Sequence, residues 1–248
     1  MRQRMRCAVL TAGVAAVPVL LCARARAANW GATPDEVAAA LPGDPLVHDP
    51  DLVLTRAITI AAPPEEVFPW LAQLGQGRGG FYSYDWLENR TGLDIRSADH
   101  ILPEHQQLTA GDRIPVAPGP PFYGFTVAEV AAPDRLVLEM RIHPFTGLAT
   151  PPQTAGRNWR LDASWTFALT RVGSAWTRLV TRSRVGLRLP VGLAQPYGLV
   201  LEVLELVMER QMLLGIRERA ERTSHSRSHQ PMTTTGRERP LLHGMPSR

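Results

Sequence analysis

The chain has 248 residues and 44% apolar content, enough for one large domain or two small ones with a buried core. Its formal charge of +4 sits at the ends. With residues 1–27 (five Arg, no acid) and 223–248 (four Arg, one Glu) set aside, 18 basic groups face 22 acidic ones, which excludes a cationic nucleic-acid surface. All 27 cations are Arg and both cysteines, Cys7 and Cys22, lie in the first 27 residues. Lysine Schiff bases and a P-loop are thereby excluded, as are disulfides, thiol nucleophiles and cysteine metal sites in the body of the chain.

Residues 1–27 read as a cationic start (Arg2, Arg4, Arg6), an apolar run from Cys7 to Ala23, then Arg24 and Arg26. The run is short for a membrane span and Pro18 interrupts it, while Ala25-Arg26-Ala27 suits signal cleavage. A cleaved signal and a retained N-terminal anchor both fit, and the charge flanks favour export of the domain. The expected location is therefore membrane-anchored or exported, as in a bacterial-type envelope. Residues 28–50 form a linker with one short helix, Pro34 to Leu41, capped by Thr33.

Leu52 to Ile60 alternates as a strand, with Leu52, Leu54, Ile58 and Ile60 on one face, broken by Arg56. Pro63 and Pro64 open a helix to Leu74, with Glu65 and Glu66 at its positive end. The Gly75–Gly80 run lacks the strand-to-helix setting and the lysine of a phosphate cradle, so it is expected to be a permissive turn or a mobile lid. A second short helix comes next, capped at Ser83 or Asp85 and ending near Asn89. Strand signals return at 112–116, 123–130 and 135–143, before a long loop over 144–159. The pair 161–169 and 175–185 reads as a hairpin across Arg171–Ser174. Gln195 to about Glu221 is a long helix, with Leu199, Val203, Leu206, Val207, Leu213 and Leu214 on one side and Glu202, Glu205 and Glu209 on the other. The tail from Thr223 has no periodicity and is expected to be disordered.

A strand, two short helices, a run of antiparallel strands and one long amphipathic helix imply an α+β domain over residues 51–222. In it, a curved antiparallel sheet grips the C-terminal helix. A bent sheet and a straight helix cannot touch along their whole length, so an internal cavity is expected between them. Two segments carry a family resemblance: Thr-Arg-Ala-Ile-Thr-Ile-Ala-Ala-Pro-Pro-Glu-Glu-Val-Phe-Pro-Trp-Leu at 55–71 and Gly-Gly-Phe-Tyr-Ser-Tyr-Asp-Trp-Leu-Glu-Asn at 79–89. With the closing helix they resemble the START-like, or SRPBCC, superfamily, which includes Bet v 1-like helix-grip proteins and polyketide cyclase/dehydratase-like proteins. The resemblance implies the helix-grip fold. Function does not follow from it, because such folds host carriers, receptors and enzymes alike. The glycine-rich loop of Bet v 1-like proteins lies between strands, whereas here it follows a helix, so no ligand role transfers to it.

The expected ligand-binding residues are Tyr82, Tyr84, Asp85 and Trp86 at the mouth, Leu138, Met140, Trp165 and Phe167 on the sheet, and Val203 and Val207 on the long helix. The expected partner is a small hydrophobic molecule, lipid or polyketide-like, with the N-terminal segment at a membrane and with neither metal nor cofactor. The leaning is toward binding or transfer without catalysis. The alternative is a cyclase or dehydratase that uses Tyr82, Asp85, His100 or His105 as proton donors. Arg178, Arg182 and Arg184 alternate on the last strand and, with Glu139 nearby, are expected to form a cross-strand charge ladder.

Overall fold

The computed structural model describes residues 24, 26–150, 159–190 and 192–228. The expected leader therefore lies almost wholly outside the described residues, as do residues 229–248 of the expected tail. Among the described residues no helix is long and apolar enough to cross a membrane.

Thr33 caps α1 (Pro34–Ala38) in a reciprocal capping box with Glu36. Strand β1 (Leu52–Ile60) leads into α2 (Pro64–Ala72) and then α3 (Asp85–Arg90). Five strands come after them: β2 (Arg113–Pro115), β3 (Gly124–Ala131), β4 (Arg135–Ile142), β5 (Arg160–Val172) and β6 (Trp176–Arg188). Helix α4 (Ala194–Ser228) closes the described chain. It continues past the expected end, and there the Thr223 and Ser226 hydroxyls donate to the carbonyls of Arg219 and Arg222, one turn back.

Among the described residues the strands form one six-stranded sheet in the order β1-β6-β5-β4-β3-β2, every pair antiparallel. Sequential strands from β2 to β6 are hairpin neighbours, and β1 returns beside β6, so the first and last strands meet at one end of the sheet. The sheet is curved, and α4 lies on its concave side against β1, β6 and α2. This is the helix-grip arrangement. The core between α2, the sheet and the C-terminal half of α4 is solid, with Trp70, Leu71, Leu138, Phe167, Leu213 and Ile216 all at 1% exposure or less. Helix α4 approaches so closely that a Cβ on Gly215 would lie 2.4 Å from the carbonyl oxygen of Tyr82, a residue itself at φ 57°.

The convex face is covered by residues 30–48. Arg178, Arg182 and Arg184 point outward there, but they do not build the expected ladder with Glu139, which is paired in register with Ser164. They reach instead for the N-terminal segment. Arg182, 3% exposed, donates to the carbonyls of Glu36, Val37 and Ala39 and to Asp44 at 2.7–2.9 Å. Arg178 binds Glu36 and the Gly31 carbonyl, and Arg184 binds the Val47 carbonyl. A guanidinium presents five donors in a rigid fork, so it satisfies several carbonyls of an irregular segment at once. A ladder of carboxylates would use only part of that capacity.

Candidate functional site

Past the solid core, the N-terminal half of α4 stands off the sheet and leaves a partly open cavity of about 310 Å³. Its walls are mostly apolar. Phe81, Leu87, Leu93 and Ile95 come from α3 and its flanks, Val116 and Phe125 from the β2–β3 end, Ala163, Trp165 and Val185 from β5 and β6, and Leu204, Met208 and Met212 from α4. Trp165 packs against Phe125 at 5.5 Å and Phe167 at 4.8 Å between ring centroids, which fixes the indole in the wall.

The polar groups of this cavity fall into two sets. On α4, Glu205 and Glu209 are one helical turn apart and both line it, together with Ser183 of β6. Glu209, 5% exposed, accepts from the Trp165 indole N–H at 3.0 Å and forms an ion pair with Arg56, which is fully buried on β1. The Glu205 Oε2 is closed off from solvent and has no hydrogen-bond partner among the described residues. Burial among apolar walls pushes the Glu205 carboxyl up to about 7, aided by the charge of Glu209 and opposed by Arg56 and a bond to Ser183. Beside α3, Glu88 is 7% exposed; its Oε1 accepts from the Ser83 hydroxyl at 2.6 Å and its Oε2 has no partner among the described residues. Desolvation raises its pKa against the Ser83 bond, and the charge of Asp85 adds to the rise. Ser164 also borders the cavity, yet its register partner Arg184 places it on the convex side of β5.

The amphipathic assignment of α4 is therefore reversed in its N-terminal half. The carboxylates of Glu202, Glu205 and Glu209 face inward, while Leu199, Val200, Val203 and Val207 are 43–66% exposed. The cause is Arg56: a buried cation on the inner face of β1 requires a counter-charge. The helix turns its acidic stripe toward it. Glu202, also turned away from solvent, takes the guanidinium of Arg24 at 2.6 Å. Val203 and Val207 thus sit on the outward face, and the expectation that they line the cavity is corrected.

Of the other expected ligand-binding residues, Trp165 is in the cavity wall. Leu138 and Phe167 face the concave side but belong to the solid core, and Met140 packs in a separate cluster with Ile142, Leu161, Val185 and Leu187. Tyr82 is buried, its hydroxyl donating to the Trp70 carbonyl at 3.1 Å and its pKa raised by burial. Asp85 accepts from the backbone N–H and hydroxyl of Ser97 at 2.7 and 2.6 Å, fixing the loop after α3. Tyr84 stacks edge-on with Trp86, which is 66% exposed, and neither lines the cavity. The proposed proton donors Tyr82, Asp85, His100 and His105 are all outside the cavity lining. The Gly75–Gly80 turn is closed on itself by paired backbone bonds, and Arg78 crosses it to the carbonyls of Ala72 and Leu74, so its guanidinium caps α2. Among the described residues no cluster of His, Cys, Asp and Glu suits a metal ion.

No protein-family model and no curated protein matches the chain. Solved structures similar to it include a Mesorhizobium loti protein at 14% identity and TM-score 0.38, covering 69% of this chain and 98% of that one. A START superfamily protein from Mycobacterium smegmatis is similar at 11% identity and TM-score 0.30, covering 69% and 98%. Truncated norcoclaurine synthase from Thalictrum flavum is similar at 12% identity and TM-score 0.34, covering 69% and 92%. Strand order, register and the gripped terminal helix give this chain a helix-grip α+β fold.

Proposed function

We propose that the protein binds or carries a small, mostly apolar molecule in the cavity between α4 and the sheet. The observation that supports this is a walled apolar space holding carboxyl oxygens with no hydrogen-bond partner among the described residues. Apolar walls draw ligand surface out of water at roughly 25 cal/mol per Å², and a few convergent polar groups orient what enters. The test is organic extraction of the purified full chain, with mass spectrometry of the extract, beside an Ala163→Phe variant that fills the cavity from β5. An apolar molecule recovered from the parent and absent from the variant supports the reading. No recovered molecule, together with no binding of added apolar probes, overturns it.

A second reading, a cyclase- or dehydratase-type enzyme in the same space, is favoured by one feature. Glu205 and Glu209 form a carboxyl pair with different environments, one ion-paired and one desolvated to about 7, and groups poised near neutrality serve as general acids and bases. The residues concerned are not the proton donors expected from the sequence. Under this reading, Glu205→Gln retains ligand and loses turnover of it.

A further inference from the structure

The polar lining of the cavity carries a sign. Among the described residues that line it there is no Arg, Lys or His, whereas three carboxyls do: Glu88, Glu205 and Glu209. One of these charges is balanced. Arg56 lies behind Glu209, outside the lining, and pairs with it. The charge of Arg56 also reaches Glu205 from outside the lining, Glu88 has no cation in the lining, and among the described residues each of these two acids keeps one buried oxygen without a hydrogen-bond donor. A buried acceptor lacking a donor is costly, so a ligand that supplies an N–H or O–H there gains what the protein alone leaves unmet. A ligand carboxylate would add a further acidic group beside Glu88 and Glu205 and would meet no cation in the lining.

Resting on the ligand-binding reading above, we infer that the occupant is an apolar amine, whose basic nitrogen donates to Glu205 or Glu88 while its hydrocarbon part lies against Trp165, Phe125 and Met208. Fatty acids and other apolar carboxylates are excluded from the same space. Glu205 and Glu88 enter from α4 and from α3, so the amine is held at a wall of the cavity and its apolar portion is free to fill the rest. The aromatic walls suit a cation as well, because ring faces attract positive charge.

The test uses three probes with the same chain and different heads: decylamine, decanol and decanoate. Each is titrated into the extracted full-length protein at pH 7 by calorimetry, with intrinsic tryptophan fluorescence as a second readout. Decylamine is expected to bind about tenfold or more tighter than decanol, the difference between a charge-assisted and a neutral hydrogen bond. Decanoate is expected not to bind. Glu205→Gln and Glu88→Gln, made singly and together, are near-isosteric; the double variant is expected to bind decylamine no better than decanol while retaining decanol. Decanoate binding as tightly as decylamine overturns the inference and leaves the cavity reading standing. So does an amine preference that survives in the double variant. Failure of all three probes overturns both.

Discussion

The inward-facing Glu205 makes a pH-dependent stability that a surface glutamate would not. In the unfolded chain its carboxyl has an ordinary pKa of 4.5, and in the folded protein burial raises it to about 7. Below pH 4.5 the group is protonated in both states and adds no pH dependence. Between 4.5 and 7 the folded state retains a proton that the unfolded state has lost, so stability falls as pH rises. Above 7 the full cost is present. At roughly 1.4 kcal/mol per pH unit, the gap is worth about 3 kcal/mol, a sizeable part of the stability of a typical domain. The assay is urea unfolding of ligand-extracted protein from pH 5 to 8, parent beside Glu205→Gln. The parent is expected to lose about 2–3 kcal/mol relative to the variant across that range, since Gln cannot titrate. A difference between the two that stays constant with pH refutes the claim that this carboxyl is buried and desolvated.

Other outcomes come from the same packing. Arg56→Met leaves Glu209 without its counter-charge and is expected to cost about 3–5 kcal/mol in urea unfolding. Adding Glu209→Gln, which keeps an acceptor for the Trp165 N–H, is expected to recover most of that loss. Gly215→Ala places a methyl against the Tyr82 backbone. Despite the better helix propensity of alanine, it is expected to destabilise by about 1–3 kcal/mol, measured by thermal melting. Val203→Ser and Val207→Ser, on the outward face of α4, are each expected to change stability by about 0.5 kcal/mol or less in the same assay.

The elements were legible because each had a local signal. β1 alternates over nine residues and spans the expected limits, and α2 begins at the double proline. The cavity's chemistry was harder to read, since it depends on which face of α4 turns inward, and apolar periodicity answers that in favour of the leucines and valines. The deciding signal was in the sequence but split between distant elements. Arg56 interrupts an otherwise apolar strand face, and Glu202, Glu205 and Glu209 repeat at helical spacing. A buried cation and a row of acids on the one helix able to reach it belong together, though nothing local in either segment says so. The aromatic cluster at 81–86 misleads for the opposite reason. Tyr82 and Asp85 are hydrogen-bonding residues near the mouth, but their capacity is consumed by Trp70 and Ser97 in holding the α2–α3 corner.

The grip of β6 on residues 31–47 has a mechanical consequence. A segment rich in Ala, Pro, Gly and Asp would ordinarily serve as slack between a domain and its N-terminal neighbour. Here three guanidinium groups pin it to the sheet, Arg210 covers the Trp30 ring at 5.1 Å, and Arg24 is tied to Glu202. Among the described residues this stretch holds no slack: it turns with the sheet as one body, and a pull applied at residue 31 is borne by guanidinium bonds to β6 rather than taken up by loose chain.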